Sequence, residues 1–212
     1  MATTVREVAF STGEGSLRGE LTVPAAADTV VVLLSGECGA GQTAQESALG
    51  RELTERGIGT FVVDLLTARE ASKRENRLDI ELLCRRIDSL YSWLERQEML
   101  DTLDIAIRAA DTAAPAALQH VDGADSEPVA VALRNGRLDL LDGEPSALDI
   151  PVLFVCAEQN SFLKAANQTA YDRLSERSRK GEFLAVDGRL DGERIATWFE
   201  QQLTADRSPQ HV

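Results

Sequence analysis

Hydrophobic positions along this chain follow two periods, and the period changes at regular intervals. Residues 5–10 and 17–23 alternate apolar with polar, and the six residues between them include two glycines, so together they predict an antiparallel hairpin. The runs at 29–34 (TVVVLL) and 59–64 (GTFVVD) are almost continuously apolar, as expected of strands covered on both faces of a parallel sheet. Between them a glycine-rich loop at 35–42 leads to Thr43, which can cap a helix that runs to Arg56 and stops at Gly57. A charged, solvated excursion at 67–77 precedes a long amphipathic helix at 78–96, where Ile80, Leu83, Ile87, Leu90, Tyr91 and Leu94 recur at helical spacing.

The stretch LDIAIRAADTAAPAAL at 103–118 reads as a short strand that passes through a small-residue turn into an alanine-rich helix. After it come a loop at 120–127, a strand at 129–133, a turn at Asn135-Gly136, a strong strand at 151–157, a helix at 161–177, a final strand at 182–186 and an amphipathic helix at 192–203. This alternation predicts right-handed βαβ crossovers and a mostly parallel, doubly wound sheet. The fold expected is a three-layer α/β/α sandwich opened by an antiparallel hairpin. With 212 residues and 43% hydrophobic content the chain can bury one substantial core, so a single domain over 1–204 with a flexible tail at 205–212 is expected. Sites in such sheets lie at the carboxyl ends of the strands, which directs attention to the loops after Leu34, Asp64, Arg108, Arg134, Ala157 and Val186.

Charge narrows the partners. A formal net charge of −13 argues against DNA or RNA, whose binding depends on Lys and Arg neutralising phosphates. No basic segment leads into an apolar run, and no stretch approaches the roughly 20 apolar residues that cross a bilayer. The expectation is a cytoplasmic protein without a membrane partner. The only lysines are Lys73, Lys164 and Lys180, and this Arg bias with the acidity resembles proteins of salt-loving microbes; an ordinary acidic protein of a high-GC bacterium fits equally well. Cys38, Cys84 and Cys156 lack metal-ligand spacing and read as buried free thiols, so neither a metal nor a cofactor is called for.

In their order and spacing, VVVLLSG at 30–36, TFVVDLLT at 60–67, RLDIELL at 77–83 before the YSWL helix, the turn at 109–113, RNGRLDL at 134–140 and PVLFVCAEQN at 151–160 resemble a small α/β-hydrolase of the dienelactone-hydrolase-like type. The resemblance implies hydrolysis of ester-like or lactone bonds by a Ser, His and acid triad, with an oxyanion hole of two backbone N–H groups. It also places the triad: the serine position, on the G-x-S-x-G turn, reads Asp111; the acid position reads Asn160; the histidine position, in a short loop whose register can slide by one or two residues, reads Asp191. All three depart from the family pattern. The oxyanion-hole positions match Glu37, after Ser35 and Gly36, and Thr112. A cleft holding Glu37, Asp111 and Asp191 suits a cation or amine, and disfavours an anion unless Arg134 at the neighbouring strand end offsets the charge.

The histidine count bears on activity. A Ser or Cys nucleophile needs a neighbouring base, and an ester formed on an Asp needs a base to activate water. The chain has only His120, at the far end of the turn's helix, and His211, next to the C-terminus. Asp111 therefore has two readings: a nucleophile, as in haloalkane dehalogenases and epoxide hydrolases, or a residue that merely caps the following helix. Residues 36–43, GECGAGQT, add a third function class, because they nearly match the phosphate loop G-x-x-x-x-G-K-[ST]; Gln42 replaces its lysine and Glu37 adds negative charge. The sequence favours a degenerate hydrolase-fold protein that binds a small ligand or a protein partner, ahead of an active hydrolase using Asp111 and of a nucleotide-binding module. An exposed apolar face on the 78–96 helix or the terminal helix would favour a homodimer.

Overall fold

The structure, a computed structural model, describes residues 2–13, 15–36, 44–123, 128–143, 148–176, 180–186 and 191–205, with the backbone alone at 44, 45, 191 and 205. Eight strands form one sheet in the order β1-β2-β4-β3-β5-β6-β7-β8. The hairpin of β1 (Thr3–Ser11) and β2 (Ser16–Pro24) is antiparallel, and β2 runs antiparallel to β4 (Gly59–Asp64). From β4 onward every pair is parallel, through β3 (Thr29–Ser35), β5 (Asp104–Ala110), β6 (Val131–Arg134), β7 (Val152–Ala157) and β8 (Gly181–Val186).

Strand side chains point alternately to the two faces, so the buried stretches of β3, β5, β6 and β7 feed two cores at once. One core holds Val30, Val32, Leu34, Phe61, Ile107, Leu133 and Phe154 against helices α4 (Ile80–Leu94), α5 (Ala113–Gly123) and α6 (Ser161–Ser175). The other holds Val31, Leu33, Ala106, Ala132 and Val155 against α1 (Ala44–Glu55) and α7 (Asp191–Ala205). This is the predicted three-layer sandwich. Among the described residues no helix is long and apolar enough to cross a membrane.

Four local expectations change. The 67–77 stretch is not a bare excursion: it forms α2 (Ala68–Ala71) and α3 (Arg74–Leu78), with Thr67 and Glu70 closing a capping box. Partial burial works against charge on Glu70, but N–H and O–H donation from Thr67 and the Arg86 guanidinium at 2.5 Å hold its carboxyl below the ordinary value. His120 to Gly123 belong to α5 rather than to a loop, because Val121 still faces the core. β6 begins at Val131, two residues later than the pattern suggested, and Val129 instead donates its N–H to the Ile105 carbonyl ahead of the ladder. Cys156 is buried as expected, whereas Cys84 is half-buried; burial pushes both thiols up to about 11. Thr43, Cys38 and the tail from 206 lie outside the described residues.

Candidate active site at the strand-to-helix elbow

β5 sits at the centre of the sheet, and its register sets Ser35 of β3 and Arg134 of β6 on either side of Ala110. Immediately beyond, Asp111 adopts φ 52°, a left-handed conformation that Asp and Asn tolerate better than other side chains. Three hydrogen bonds hold it there. The Asp111 N–H donates to the Arg134 carbonyl (3.1 Å), and the Asp111 carbonyl accepts from the N–H groups of Ala114 (3.3 Å) and Arg137 (3.0 Å). The strand then turns into α5, whose alanines, all buried, let the helix lie close to the sheet.

The neighbouring loop is built in the same way. Asn135 takes φ 46°; its N–H donates to the Val155 carbonyl (2.8 Å) and its Oδ1 accepts from the Ala157 N–H (2.9 Å). Gly136 threads between α5 and α6, where a Cβ would stand 2.8 Å from that of Ala114, and its carbonyl accepts from Asn167 Nδ2 at 2.6 Å. On the β3 side the fit is closer still. A Cβ on Gly36 would fall 2.1 Å from Thr112 Oγ1, so only glycine allows this approach. Thr112 is 7% exposed and its hydroxyl has no hydrogen-bond partner among the described residues.

Charge at the elbow comes from a residue the sequence reading passed over. The Arg137 guanidinium grips Asp139 with Nε and Nη2, both at 2.8 Å, and lies 6.0 Å over the ring of Phe162, which is 60% exposed. Its pKa is raised first by the hydrogen bond to Asp139, against partial burial, and then by the charges of Asp139 and Asp111. Asp139 is correspondingly held below the ordinary carboxylate value by Arg137. Arg134, expected to offset the acids, is half-buried at the end of β6, where its carbonyl accepts from Asp111.

The remaining positions separate. Asn160 is exposed and caps α6, its Oδ1 accepting from the Leu163 N–H at 3.1 Å. Asp191 is the first residue of α7, one residue earlier than the helix was expected to start. Glu37 and the phosphate-loop-like stretch 37–43 lie outside the described residues, as does His211. His120 sits nine residues beyond Asp111, about 13 Å along the helix at 1.5 Å per residue. There Nδ1 bonds Asp88 Oδ1 at 2.7 Å and the ring packs 4.4 Å from that of Tyr91. No group of three His, Cys, Asp or Glu side chains among the described residues could hold a metal.

Solved structures with the same arrangement decide the fold. A dienelactone hydrolase from Anabaena variabilis superposes with a TM-score of 0.82 at 21% identity, covering 97% of this chain and 99% of its own. The chain has the α/β-hydrolase fold. A Pyrococcus furiosus esterase (TM-score 0.77, 11% identity, 95% and 92% covered) and Est1E from Butyrivibrio proteoclasticus (0.73, 12%, 93% and 99%) share it. No family model matches the chain. In sequence, 164 residues (77% of the chain) are 30% identical to a Mycobacterium tuberculosis protein named "Putative phosphoribosyl transferase", in strains H37Rv and CDC 1551 / Oshkosh. The match spans 37% of that relative's length.

In the α/β-hydrolase fold of this chain, the described residues gathered at the carboxyl edge include Ser35, Gly36, Asp64, Asp111, Thr112, Arg134, Asn135 and Arg137. Sequence reasoning placed a turn at Asn135-Gly136 but marked none of Arg137, Asn135 and Asn167 as site residues. The Asn-Gly turn after the 129–133 run carried a signal for Asn135, since Asn tolerates positive φ; Arg137 gave none, because its nearness to Asp111 depends on the fold, and neither did Asn167, a polar residue on an otherwise ordinary helix.

Proposed function

We propose that this chain is a catalytically degenerate α/β-hydrolase-fold protein that works by binding a small ligand or a protein partner. The observation that supports this best is the position of His120, whose imidazole is tied to Asp88 and Tyr91 at the opposite end of α5 from Asp111. Among the described residues a carboxylate at the elbow then has no imidazole to take or return a proton, and general base catalysis by a histidine lacks its base there. The crowding of Thr112 Oγ1 against Gly36 supports the same reading, because a side chain fills the space between the elbow and Gly36 at the end of β3.

The runner-up is a hydrolase that uses Asp111 as nucleophile or as base for water. What favours it is the positive φ at Asp111, a kind of backbone strain that clusters at functional sites. The two separate by turnover of short-chain p-nitrophenyl esters and a lactone, in low and high salt, with wild type beside Asp111→Ala. The degenerate reading expects no rate above the variant, and a rate that Asp111→Ala abolishes overturns it.

The name of the longer mycobacterial relatives adds a ligand class to the nucleotide reading of 36–43. We assign phosphoribosyl transfer to the part of those proteins that this chain does not span, because this chain aligns over nearly its full length with a hydrolase fold. Phosphoribosyl pyrophosphate and ATP should therefore leave the melting temperature unchanged; a concentration-dependent rise would bring the loop reading back.

A further inference from the structure

The sheet ends on two unlike strands. β1 carries Arg6 and Glu7 at mid-strand, and charges on an edge blunt its pairing with other chains. β8, the opposite edge, reads GEFLAV and has one charged residue, Glu182. That carboxylate is already engaged: its Oε1 accepts from Trp198 Nε1 at 3.0 Å and Gln202 Nε2 at 3.4 Å, both on α7. Phe183, Leu184 and Ala185 remain half-exposed, in contrast to Val152 to Cys156 of β7, which are all buried.

Register shows which backbone groups the edge offers. The Val152 N–H donates to the Lys180 carbonyl (3.0 Å) and the Glu158 N–H to the Val186 carbonyl (3.1 Å), across a parallel ladder that pairs Val152 with Gly181. In such a ladder alternate residues face the partner strand, so Glu182, Leu184 and Val186 bond β7. Gly181, Phe183 and Ala185 turn N–H and C=O outward, where among the described residues β8 has no further strand.

We propose that this edge pairs with the same edge of a second copy, antiparallel about a two-fold axis at Phe183, joining the two sheets. The strand is complementary to itself in that register. Gly181 lies opposite the partner's Ala185, two small residues; Phe183 meets its own copy on the α6 face; Glu182 lies opposite the partner's Leu184, so no acid faces an acid. The three outward residues of each copy then exchange about six main-chain hydrogen bonds. For a chain of net charge −13, this is an edge at which two copies approach without adding like charges face to face. Beside it, along α7, runs a groove of about 400 Å³ lined in part by Glu182, Leu184, Arg194 and Trp198, open to the partner's surface.

Light scattering on a sizing column tests this with the whole chain. Wild type should run at twice the 23.0 kDa chain mass. Ala185→Pro removes one outward N–H and no bond to β7, and should give a monomer with unchanged circular dichroism; Val5→Pro on the β1 edge should leave the dimer intact. If Ala185→Pro fails to fold, Phe183→Lys and Phe183→Glu decide. Each alone places like charges across the axis and should be monomeric, and an equimolar mixture should regain the dimer. A monomeric wild type, an Ala185→Pro dimer, or a mixture that stays monomeric overturns the proposal, the second by placing contact between copies elsewhere.

Discussion

The two ends of α5 are built by different rules. At its N-terminus the chain is fixed by backbone: Asp111 and Asn135 at positive φ, Gly36 and Gly136 at approaches no side chain would permit, and a ladder of main-chain hydrogen bonds between them. At its C-terminus side chains set the geometry, with His120 held by Asp88 and stacked on Tyr91, and Cys84 donating its thiol proton to Gln119 at 3.1 Å. The first end has the strand-to-helix elbow and, among the described residues, no imidazole beside it. The second has the aspartate and histidine without the shape. Packing maintains an elbow whether or not the residue on it reacts, whereas catalysis also needs particular side chains to meet; Asp111 and His120 lie a helix-length apart.

Substitutions can break this contrast in order of size. Beneath the elbow, Arg108 of β5 and Glu46 of α1 form a buried ion pair at 2.6 Å. Glu46→Ala removes a charge-assisted bond from a buried guanidinium, so it should lower unfolding free energy by about 3 kcal/mol in urea titrations and loosen the elbow end alone. Gly36→Ala should cost about 2 kcal/mol through its clash with Thr112, and most of that loss should vanish in a Thr112→Ala background; equal losses in both backgrounds would show that the contact is not the cause. His120→Ala should cost about 1 kcal/mol for the lost Asp88 bond and Tyr91 packing. Asp111→Gly should move the other way, raising the melting temperature slightly as the strain at φ 52° is relieved.

The smallest effect is on pH dependence. Asp139 titrates below its ordinary 3.8 because Arg137 bonds its carboxylate. A carboxyl depressed in the folded state contributes stability that is fully present above the unfolded value and is lost as pH falls through the folded one. Asp139→Asn should therefore lower stability slightly at neutral pH and flatten part of its loss below about pH 4, as thermal melts at several pH values would record.

How much of this was legible in the sequence follows from what each feature depends on. The strands at 29–34, 59–64 and 151–157 declare themselves because burial on both faces demands unbroken apolar runs, and the elbow because alanines crowd one turn. Asp111 was legible as a residue able to take the turn. Arg137 was not legible as its electrostatic neighbour, since that follows from where the 135–137 loop crosses α5, a tertiary fact. The short helices at 68–78 were hidden by their charge, because what supports them is the Glu70 to Arg86 pair rather than an apolar stripe. Asn160 looked like a site residue by position, yet Asn before a helix is first of all a cap.

The most direct test of the account compares the two ends of α5 in one assay: initial rates of p-nitrophenyl acetate hydrolysis by wild type, Asp111→Ala and His120→Ala, each shown to be folded. The account predicts three rates indistinguishable from one another and from the background of a non-enzymatic protein. A rate for wild type at least tenfold above Asp111→Ala would contradict it and make the elbow a working site.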